Sequence, residues 1–310
     1  MDVSVVIPLL NEEDSLPELH DRITAEFERG KWSGEIVFVD DGSTDSSFRV
    51  IETLAGGDSR VRSIKFRRNF GKAAALSAGF ACAAGDYVIT MDADLQDDPK
   101  EIPRLIAKLE EGFDVVSGWK KVRHDPITKT LPSKLFNAVT SFFTGISLHD
   151  FNCGLKGYRK AAVKELDLYG ELHRYIPALA GWKGFRVTEI EVTHHARQFG
   201  TSKYGPARFL NGFLDLMTVM LLTRFTLKPL HLFGMLGAIL GTGGFVICAF
   251  LVSLKLQFGN IQGRNPLLML GVLLIITGFQ FVSTGLLAEM IASQRGERAR
   301  DFSVERTIGL

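Results

Sequence analysis

The chain has 310 residues, of which 46% are hydrophobic, and 36 Lys and Arg against 35 Asp and Glu give it a net charge of +1. This length allows one domain with a sizeable core plus a membrane segment. The balanced charge excludes the strongly basic composition typical of nucleic-acid-binding proteins, so we expect no nucleic-acid partner. The composition resembles that of a soluble protein, yet two long apolar runs lie in the last third.

The first two hundred residues alternate apolar strand-like runs with amphipathic helical segments. Helices are expected after the polar residues 11–14, after residue 45 and from Gly71 onward. Strands are predicted at residues 3–8, 35–40, 61–66, 87–92 and 186–192. This alternation predicts an α/β open sheet, in which ligands bind at the carboxyl ends of the strands.

An acidic cluster follows the fourth predicted strand, where Asp92 and Asp94 are two residues apart. Residues i and i+2 of a strand point to the same side, so we expect the two carboxylates to converge on one cation. Mg²⁺ or Mn²⁺ takes such oxygen ligands and shares them with substrate phosphates. A surface pair or helix cap is the alternative, but the apolar strand before the cluster and Pro99 after it favour a metal and diphosphate site.

A second polar cluster, Asp40-Asp41-Gly42-Ser43, follows the second predicted strand. A carboxylate at this place can accept hydrogen bonds from a base imide or a ribose, although a turn that caps the next helix explains one residue of the pair equally well. Lys72 lies at the start of a predicted helix. Its ammonium and the helix N-terminus can therefore bind one phosphate together.

Two apolar runs, 230–254 and 266–291, each exceed the roughly 20 residues needed to span a bilayer. We expect a hairpin of two transmembrane helices, with a pair of buried core helices as the alternative. More Lys and Arg flank the outer ends of the runs than lie in the linker. The positive-inside tendency then places the bulk of the chain and both termini in the cytoplasm, at the inner (plasma) membrane.

The segment 205–228 mixes apolar residues at helical spacing with charges. It is expected to form an amphipathic helix at the bilayer surface, or a helix that packs on the catalytic domain or a neighbouring subunit. Met1 leads directly into the first strand, so we expect no signal peptide. The predicted organisation is a catalytic domain over 1–204, juxtamembrane helices over 205–229, two transmembrane helices over 230–292 and a cytoplasmic tail over 293–310.

Three segments, VVIPLLNEE, VDDGSTD and ITMDADLQDDP, occur in an order and at spacings that resemble the inverting family 2 glycosyltransferases with a GT-A fold. The resemblance is to the polyprenyl-phosphate branch, which includes dolichol-phosphate mannose synthase and the bacterial undecaprenyl-phosphate (bactoprenol) glucosyltransferases. It implies a Rossmann-like GT-A sheet, a Mg²⁺ or Mn²⁺ cofactor, a nucleotide-diphosphate sugar donor, a polyprenyl phosphate acceptor and a homo-oligomer. UDP-glucose is the expected donor, with GDP-mannose or a modified UDP-sugar as alternatives.

The resemblance also implies roles for individual residues. The expected metal ligands are Asp92, Asp94 and Gln96, and the expected catalytic residues are Asp94 and Asp150. Residues expected to bind the nucleotide sugar are Pro8, Asn11, Glu12, Asp40, Asp41, Ser43, Lys72, Asp92 and Gln96. Residues expected to bind the acceptor phosphate, if they are not solvated surface charges, are Arg123, Lys134, Arg174, Arg197 and Lys203.

Other functions share parts of this pattern. A processive polysaccharide synthase would have the same fold, but the sequence contains no Q-x-x-R-W segment. A diacylglycerol acceptor is a nearer alternative that only acceptor assays separate. A sugar-nucleotide-sensing membrane partner protein without catalytic activity is the third, and the intact acidic clusters and Lys72 argue against it.

Overall fold

The computed structural model describes residues 1–121, 137, 140–141, 144–168, 170, 172–195, 229–261 and 263–294. These residues belong to two compact units, one holding the described residues up to His195 and the other those from Pro229. The predicted juxtamembrane helix over 205–228 and the tail after residue 294 lie outside the described residues. The domain boundaries drawn from the sequence therefore stay predictions.

The strands of the N-terminal unit are β1 (Val3–Leu9), β2 (Gly34–Asp40), β3 (Val61–Lys65), β4 (Tyr87–Thr90), β5 (Val115–Trp119), β6 (Lys156–Arg159) and β7 (Val187–Glu191). Among the described residues they form one seven-stranded sheet in the order β3-β2-β1-β4-β6-β5-β7. β1 to β4 are parallel to one another and β5 is parallel to β7, whereas β6 runs antiparallel to both β4 and β5. The predicted α/β open sheet is confirmed, with two strands, β5 and β6, that the sequence analysis did not identify.

Helices cover both faces of this sheet. They are α1 (Leu16–Gly30), α2 (Ser47–Gly57), α3 (Lys72–Cys82), α4 (Ile102–Glu110), α5 (Lys160–Glu165) and α6 (Ile176–Trp182). Successive side chains of a strand point to opposite faces. Accordingly Val5 packs in a core cluster with α1, α2 and α4, while Val6 packs in another with α3, α5 and α6. Burial on both faces explains why β1 and β2 are almost continuously apolar.

Glu35, at the start of β2, is a charged side chain inside this core, with only 1% of its surface exposed. Its Oε1 accepts from Ser4 Oγ at 2.6 Å and from the backbone N–H of Ala84 at 2.6 Å, and its Oε2 accepts from Arg62 Nη1 at 2.9 Å. Burial alone would raise the pKa of Glu35, but these donors together hold it below its ordinary value. The carboxylate thus joins β1, β2, β3 and the end of α3.

The C-terminal unit is a pair of helices, α7 (Pro229–Phe258) and α8 (Asn265–Gln294). Both are long and apolar enough to cross a membrane, and only 17% and 11% of their most apolar stretches are buried in the chain. Core helices of a soluble protein would be mostly buried, so the hairpin fits the membrane alternative better. The backbone N–H of Leu230 donates to Glu289 Oε2 at 3.1 Å, which joins the first turn of α7 to the end of α8.

Glycines bring the two helices of the hairpin into backbone contact. A Cβ added at Gly237 would lie 2.6 Å from the carbonyl oxygen of Gly278, and one added at Gly244 would lie 2.5 Å from that of Gly271. In each helix the two glycines are seven residues apart, which places them on one face two turns from each other. Small residues at such positions allow the close approach that stabilises helix pairs in lipid.

Candidate functional site

A cavity of about 270 Å³ opens at the carboxyl ends of β1 and β4. This is the edge of the sheet where the sequence pattern places a ligand. Several of the predicted site residues line it, namely Pro8, Lys72, Asp92, Asp94, Gln96, Asp150 and Arg174. The cavity is also lined by residues that the sequence analysis did not assign to a site, above all Lys120, Lys156 and His173.

The acidic cluster lies in a turn after β4 and is not part of the strand. The ladder between β4 and β6 ends at Thr90, whose hydroxyl donates to the carbonyl oxygen of Gly154 at 2.9 Å. The prediction that the strand continues to Asp92 is wrong, because β4 ends at Thr90. Strand geometry therefore does not align Asp92 with Asp94. The turn brings both carboxylates to the cavity instead, with Leu95 at the positive φ of 59° that such a tight turn imposes.

Lys72 and Asp92 form an ion pair across the cavity. Lys72 begins α3, and the residue before it, Gly71, has a φ of 94° that favours glycine. The start of this helix is fixed by Asp41, which accepts the backbone N–H groups of Phe70 at 2.7 Å and Gly71 at 2.9 Å. Asp41 thus positions the predicted phosphate-binding lysine. Its predicted contact with the nucleotide stays a prediction.

The other predicted nucleotide-binding residues join the loops after β1 and β2. Asn11 Oδ1 accepts the backbone N–H of Thr44 at 2.8 Å, and Ser43 Oγ accepts that of Asn11 at 2.9 Å. Ser47 Oγ accepts the backbone N–H of Glu12 at 2.9 Å, and Asp40 Oδ1 accepts that of Ser43 at 2.8 Å. These hydrogen bonds join the two loops, but none of these residues lines the cavity. Their part in nucleotide binding stays a prediction.

Asp150 also lines the cavity and is 1% exposed. Its Oδ1 accepts the backbone N–H of Asn152 at 3.0 Å, and its carbonyl oxygen accepts from Ser117 Oγ at 3.2 Å. These contacts fix the loop before β6 against β5. Asp150 therefore faces the cavity from a position set by backbone and strand contacts.

Lys156 starts β6 beneath this loop and is fully buried, with its ammonium donating to the carbonyl oxygen of Cys153. Burial lowers the pKa of Lys156, and the negative charge of Asp150 offsets only part of this effect. Burial also raises the pKa of the Cys153 thiol to about 12, so this thiol remains protonated at neutral pH. Cys153 therefore serves as a packing residue in the cavity wall.

Lys120 follows β5 and is a second cation that the sequence analysis missed. Its ammonium lies 3.1 Å from Asp97 Oδ1, and both side chains are largely buried. Burial alone would lower the pKa of Lys120, but the Asp97 charge raises it above its ordinary value. In turn Lys120 and His194 hold the pKa of the Asp97 carboxyl low against the opposing effect of burial. Lys120 thus carries a positive charge to the cavity at neutral pH.

The predicted acceptor-phosphate residues divide into two groups. Arg174 lies in a short 3₁₀ turn (Leu172–Tyr175), is 8% exposed and lines the cavity. The others, Arg123, Lys134, Arg197 and Lys203, lie outside the described residues.

Gly154 lies against the acidic cluster. A Cβ added there would lie 2.5 Å from Asp92 Oδ2 and 2.6 Å from its Cγ. Any side chain at residue 154 must therefore displace the Asp92 carboxylate or the loop before β6.

Gly154→Ala is expected to lower the efficiency of the predicted sugar transfer by about tenfold to a hundredfold, because a displacement near 1 Å in an active site has effects of that order. Steady-state kinetics with varied donor measure the loss. Gly56→Ala is the matched control, since a Cβ at Gly56 meets no atom within 4 Å. Full activity of the Gly154 variant would show that Asp92 does not need its present position.

Comparison with known proteins shows the family of the chain. A sequence model of the family described as Glycosyl transferase family 2 matches residues 4–167. The chain belongs to glycosyl transferase family 2. Dodecaprenyl-phosphate galacturonate synthase of Rhizobium johnstonii is 41% identical to this glycosyltransferase over 297 residues, which are 94% of this chain and 88% of the relative.

Two further relatives act on another sugar. Undecaprenyl-phosphate 4-deoxy-4-formamido-L-arabinose transferase of Salmonella paratyphi A is 41% identical over 93% of this chain and 88% of the relative. The protein of the same name from Proteus mirabilis is 38% identical over 99% of this chain and 94% of the relative. The relatives of this glycosyltransferase are thus polyprenyl-phosphate sugar transferases, as the sequence motifs predicted.

A solved structure confirms the fold. Glucosyl-3-phosphoglycerate synthase of Mycobacterium tuberculosis, crystallised with Mn²⁺, UDP-glucose and phosphoglyceric acid, superposes with a TM-score of 0.56 at 20% identity. The match covers 71% of this glycosyltransferase and 79% of that chain. The predicted GT-A fold is therefore confirmed for the N-terminal unit.

The glycosyltransferase has oxygen donors suited to the predicted metal. Asp92 and Asp94 supply carboxylates to the cavity, and the Gln96 amide nitrogen donates to the carbonyl oxygen of His195 at 3.4 Å, so the amide oxygen is the atom that can act as a ligand. Hard ions such as Mg²⁺ and Mn²⁺ prefer this donor set. The described residues contain no group of three His, Cys, Asp or Glu side chains able to hold a metal alone. An ion that shares its ligands with a substrate diphosphate needs no such group.

Proposed function

We propose that this glycosyltransferase transfers a sugar from a nucleotide-diphosphate sugar to polyprenyl phosphate, with inversion at the anomeric carbon. The observation that carries the proposal is the cavity, in which three carboxylates, Asp92, Asp94 and Asp150, meet four cationic side chains. The cationic side chains are Lys72, Lys120, Lys156 and Arg174. Cationic side chains close to metal-binding carboxylates are suited to bind two phosphate-bearing substrates.

The donor would bind along the ends of β1, β2 and β4. Lys72 and the N-terminus of α3 offer positive charge to its diphosphate, while Asp92, Asp94 and Gln96 would hold Mg²⁺ or Mn²⁺. A divalent ion supplies charge neutralisation of the leaving diphosphate. The nucleoside would lie over the loops that Asn11 and Ser43 join.

The acceptor phosphate would attack the anomeric carbon on the side opposite the diphosphate. A new bond forms between a phosphate oxygen and this carbon, the bond to the leaving diphosphate breaks, and a nucleoside diphosphate is released. Lys120 and Arg174 are the described cations proposed to hold the attacking phosphate, beside Arg123, Lys134, Arg197 and Lys203 as predicted from the sequence.

Asp150 is proposed to orient the donor sugar or stabilise positive charge that develops on it. A phosphate monoester has its second pKa near 6, so the nucleophile is already largely ionised at neutral pH and needs no strong base. The burial of Asp150 and its fixed contacts with Asn152 and Ser117 suit such an electrostatic role.

The donor sugar is proposed to have the galacto configuration. Curated relatives act on galacturonate and on 4-deoxy-4-formamido-L-arabinose, and the pyranose ring of L-arabinose has the configuration of galactose. These sugars differ from the glucose expected from the sequence. UDP-glucose, which has the opposite configuration at the fourth carbon, is therefore the donor with which a galacto-configured donor is compared.

The membrane arrangement is part of the proposal. The hairpin α7–α8 would anchor the chain in the plasma (inner) membrane, with the catalytic unit on the cytoplasmic side where the sequence places the flanking Lys and Arg. The lipid acceptor would reach the cavity from that bilayer. A homo-oligomer is proposed on the family resemblance alone.

The test is transfer of label to undecaprenyl phosphate by the purified full-length protein in detergent. Donors are UDP-galacturonate, UDP-4-deoxy-4-formamido-L-arabinose, UDP-glucose and GDP-mannose, each with Mg²⁺, with Mn²⁺ and with EDTA. We expect a lipid-linked product from a galacto-configured donor that disappears with EDTA.

Other outcomes would contradict defined parts of the proposal. Product from UDP-glucose or GDP-mannose would overturn the sugar assignment only. Transfer to added diacylglycerol but not to undecaprenyl phosphate would overturn the acceptor. Undiminished transfer in EDTA would exclude the metal role of Asp92 and Asp94.

A further inference from the structure

Asp97 is a buried carboxylate behind the cavity wall, three residues after Asp94. Only 1% of it is exposed and it does not line the cavity, whereas two of its neighbours do. These neighbours are Lys120, whose Nζ lies 3.1 Å from Asp97 Oδ1, and His194, whose Nδ1 lies 3.8 Å from the same oxygen. Asp97 is therefore in contact with two groups that line the cavity.

The backbone around Asp97 joins the acidic loop to the segment after β7. Asp97 and His194 form an antiparallel β-bridge, and the backbone N–H of His195 donates to the carbonyl oxygen of Gln96 at 2.8 Å. No described residue donates a hydrogen bond of normal geometry to either carboxylate oxygen of Asp97. The ammonium of Lys120 is thus the principal described group that offsets this buried negative charge.

A buried carboxylate without a paired cation is strongly unfavourable, so Asp97 attracts Lys120 to one position. Lysine side chains are otherwise flexible, with several rotatable bonds to restrict. A fixed ammonium contributes more to phosphate binding than a mobile one, because its ordering is complete before the substrate arrives.

We propose that Asp97 is a positioning residue of the transfer reaction, which holds the ammonium of Lys120 at the cavity wall where a substrate phosphate binds. The inference rests on the proposed function, because it needs a phosphate-bearing substrate in this cavity. Asp97 itself contacts no substrate and acts through Lys120.

The experiment is a double-mutant cycle on the full-length protein with Asp97→Asn, Lys120→Met and the double variant. kcat and KM are measured for both donor and polyprenyl phosphate. Each variant is expected to lose about a hundredfold in kcat/KM, an effect typical of a displaced charge in an active site. The double variant is expected to lose no more than either single variant, because Asp97 has nothing to position once the ammonium is absent.

Glu101→Gln is the matched control for a purely structural effect. Glu101 is a buried carboxylate that accepts the backbone N–H of Thr193 at 3.0 Å and its Oγ1 at 2.9 Å, so it joins the same two segments without lining the cavity. We expect its kcat/KM to stay within about threefold of wild type. A loss equal to that of Asp97→Asn would overturn the proposal.

The other outcomes of the double-mutant cycle also test the proposal. If the fold-loss of kcat/KM in the double variant equals the product of the two single losses, Asp97 and Lys120 act independently and the proposal is wrong. If Lys120→Met does not fold because Asp97 is left unpaired, the double variant is compared with Asp97→Asn alone. A further large loss of kcat/KM in the double variant would then show that the two residues act independently, and the proposal would be wrong. Wild-type transfer to a different lipid would overturn the proposed acceptor, while the same cycle with that lipid still tests Asp97.

Discussion

Asp94→Asn is expected to lower sugar transfer by about a thousandfold, the order seen when a transition-state charge loses its stabilising group. Asp94 lines the cavity, and its Oδ1 accepts the backbone N–H of Gln96 at 3.2 Å. The amide keeps the shape and this contact, but it loses the charge that would bind the metal. The measurement is transfer of label to undecaprenyl phosphate with saturating donor and a series of Mn²⁺ concentrations.

Asp98→Asn is the control for this prediction, because Asp98 lies in the same loop but does not line the cavity. It caps a second 3₁₀ turn, Pro99–Glu101, by accepting the backbone N–H of Lys100 at 3.0 Å, and asparagine caps helices about equally well. This variant should retain transfer within a few-fold of wild type. Near-normal transfer by Asp94→Asn at all Mn²⁺ concentrations would remove the metal-binding role of Asp94.

Glu35→Gln is expected to destabilise the N-terminal unit by about 2–4 kcal/mol, because the amide presents N–H groups to a site built from donors and leaves a buried network partly unsatisfied. All three tryptophans, Trp32, Trp119 and Trp182, lie in this unit, so their fluorescence reports its unfolding within the intact chain. Denaturant unfolding in detergent measures the change. Glu52→Gln is the exposed control, expected to remain within about 0.5 kcal/mol.

The destabilisation caused by Glu35→Gln should become smaller as the pH falls. The folded-state pKa of Glu35 lies below its ordinary value of 4.5. Its charge therefore contributes stability that is fully present above pH 4.5 and is lost as the pH falls through the folded-state pKa. The difference in unfolding free energy between wild type and Glu35→Gln should thus shrink below pH 4.5. A difference that grows on acidification would contradict this account.

The sequence predicted the fold class because its strongest signals were local. β1 and β2 are almost continuously apolar, a pattern typical of strands that are buried on both faces of a sheet. β6 could not be identified in this way, because it is four residues long and consists of Lys156, Gly157, Tyr158 and Arg159. Its place in the sheet depends on pairing with β4 and β5, which lie far away in sequence.

The residues of the candidate site also divide into those with a local signal in the sequence and those without one. Asp92, Asp94 and Lys72 were predicted because they follow a strand or begin a helix, and all three line the cavity. Lys120 has no distinctive local motif, since the pair Lys120-Lys121 after a short apolar run resembles an ordinary solvated loop. Its role becomes visible only when the fold places Asp97 beside it. Charge pairs between distant segments carry no periodic signal in a single sequence.

The glycine contacts between α7 and α8 have a consequence for the thickness of the bilayer that this chain can occupy. Each helix has 30 residues and is therefore about 45 Å long, against a hydrocarbon core of about 30 Å. Helices longer than the core tilt or extend into the head groups. Because backbone contacts at Gly237 and Gly244 join the pair closely, the two helices should tilt as one body, so a thinner membrane would incline the whole hairpin and leave its crossing geometry unchanged.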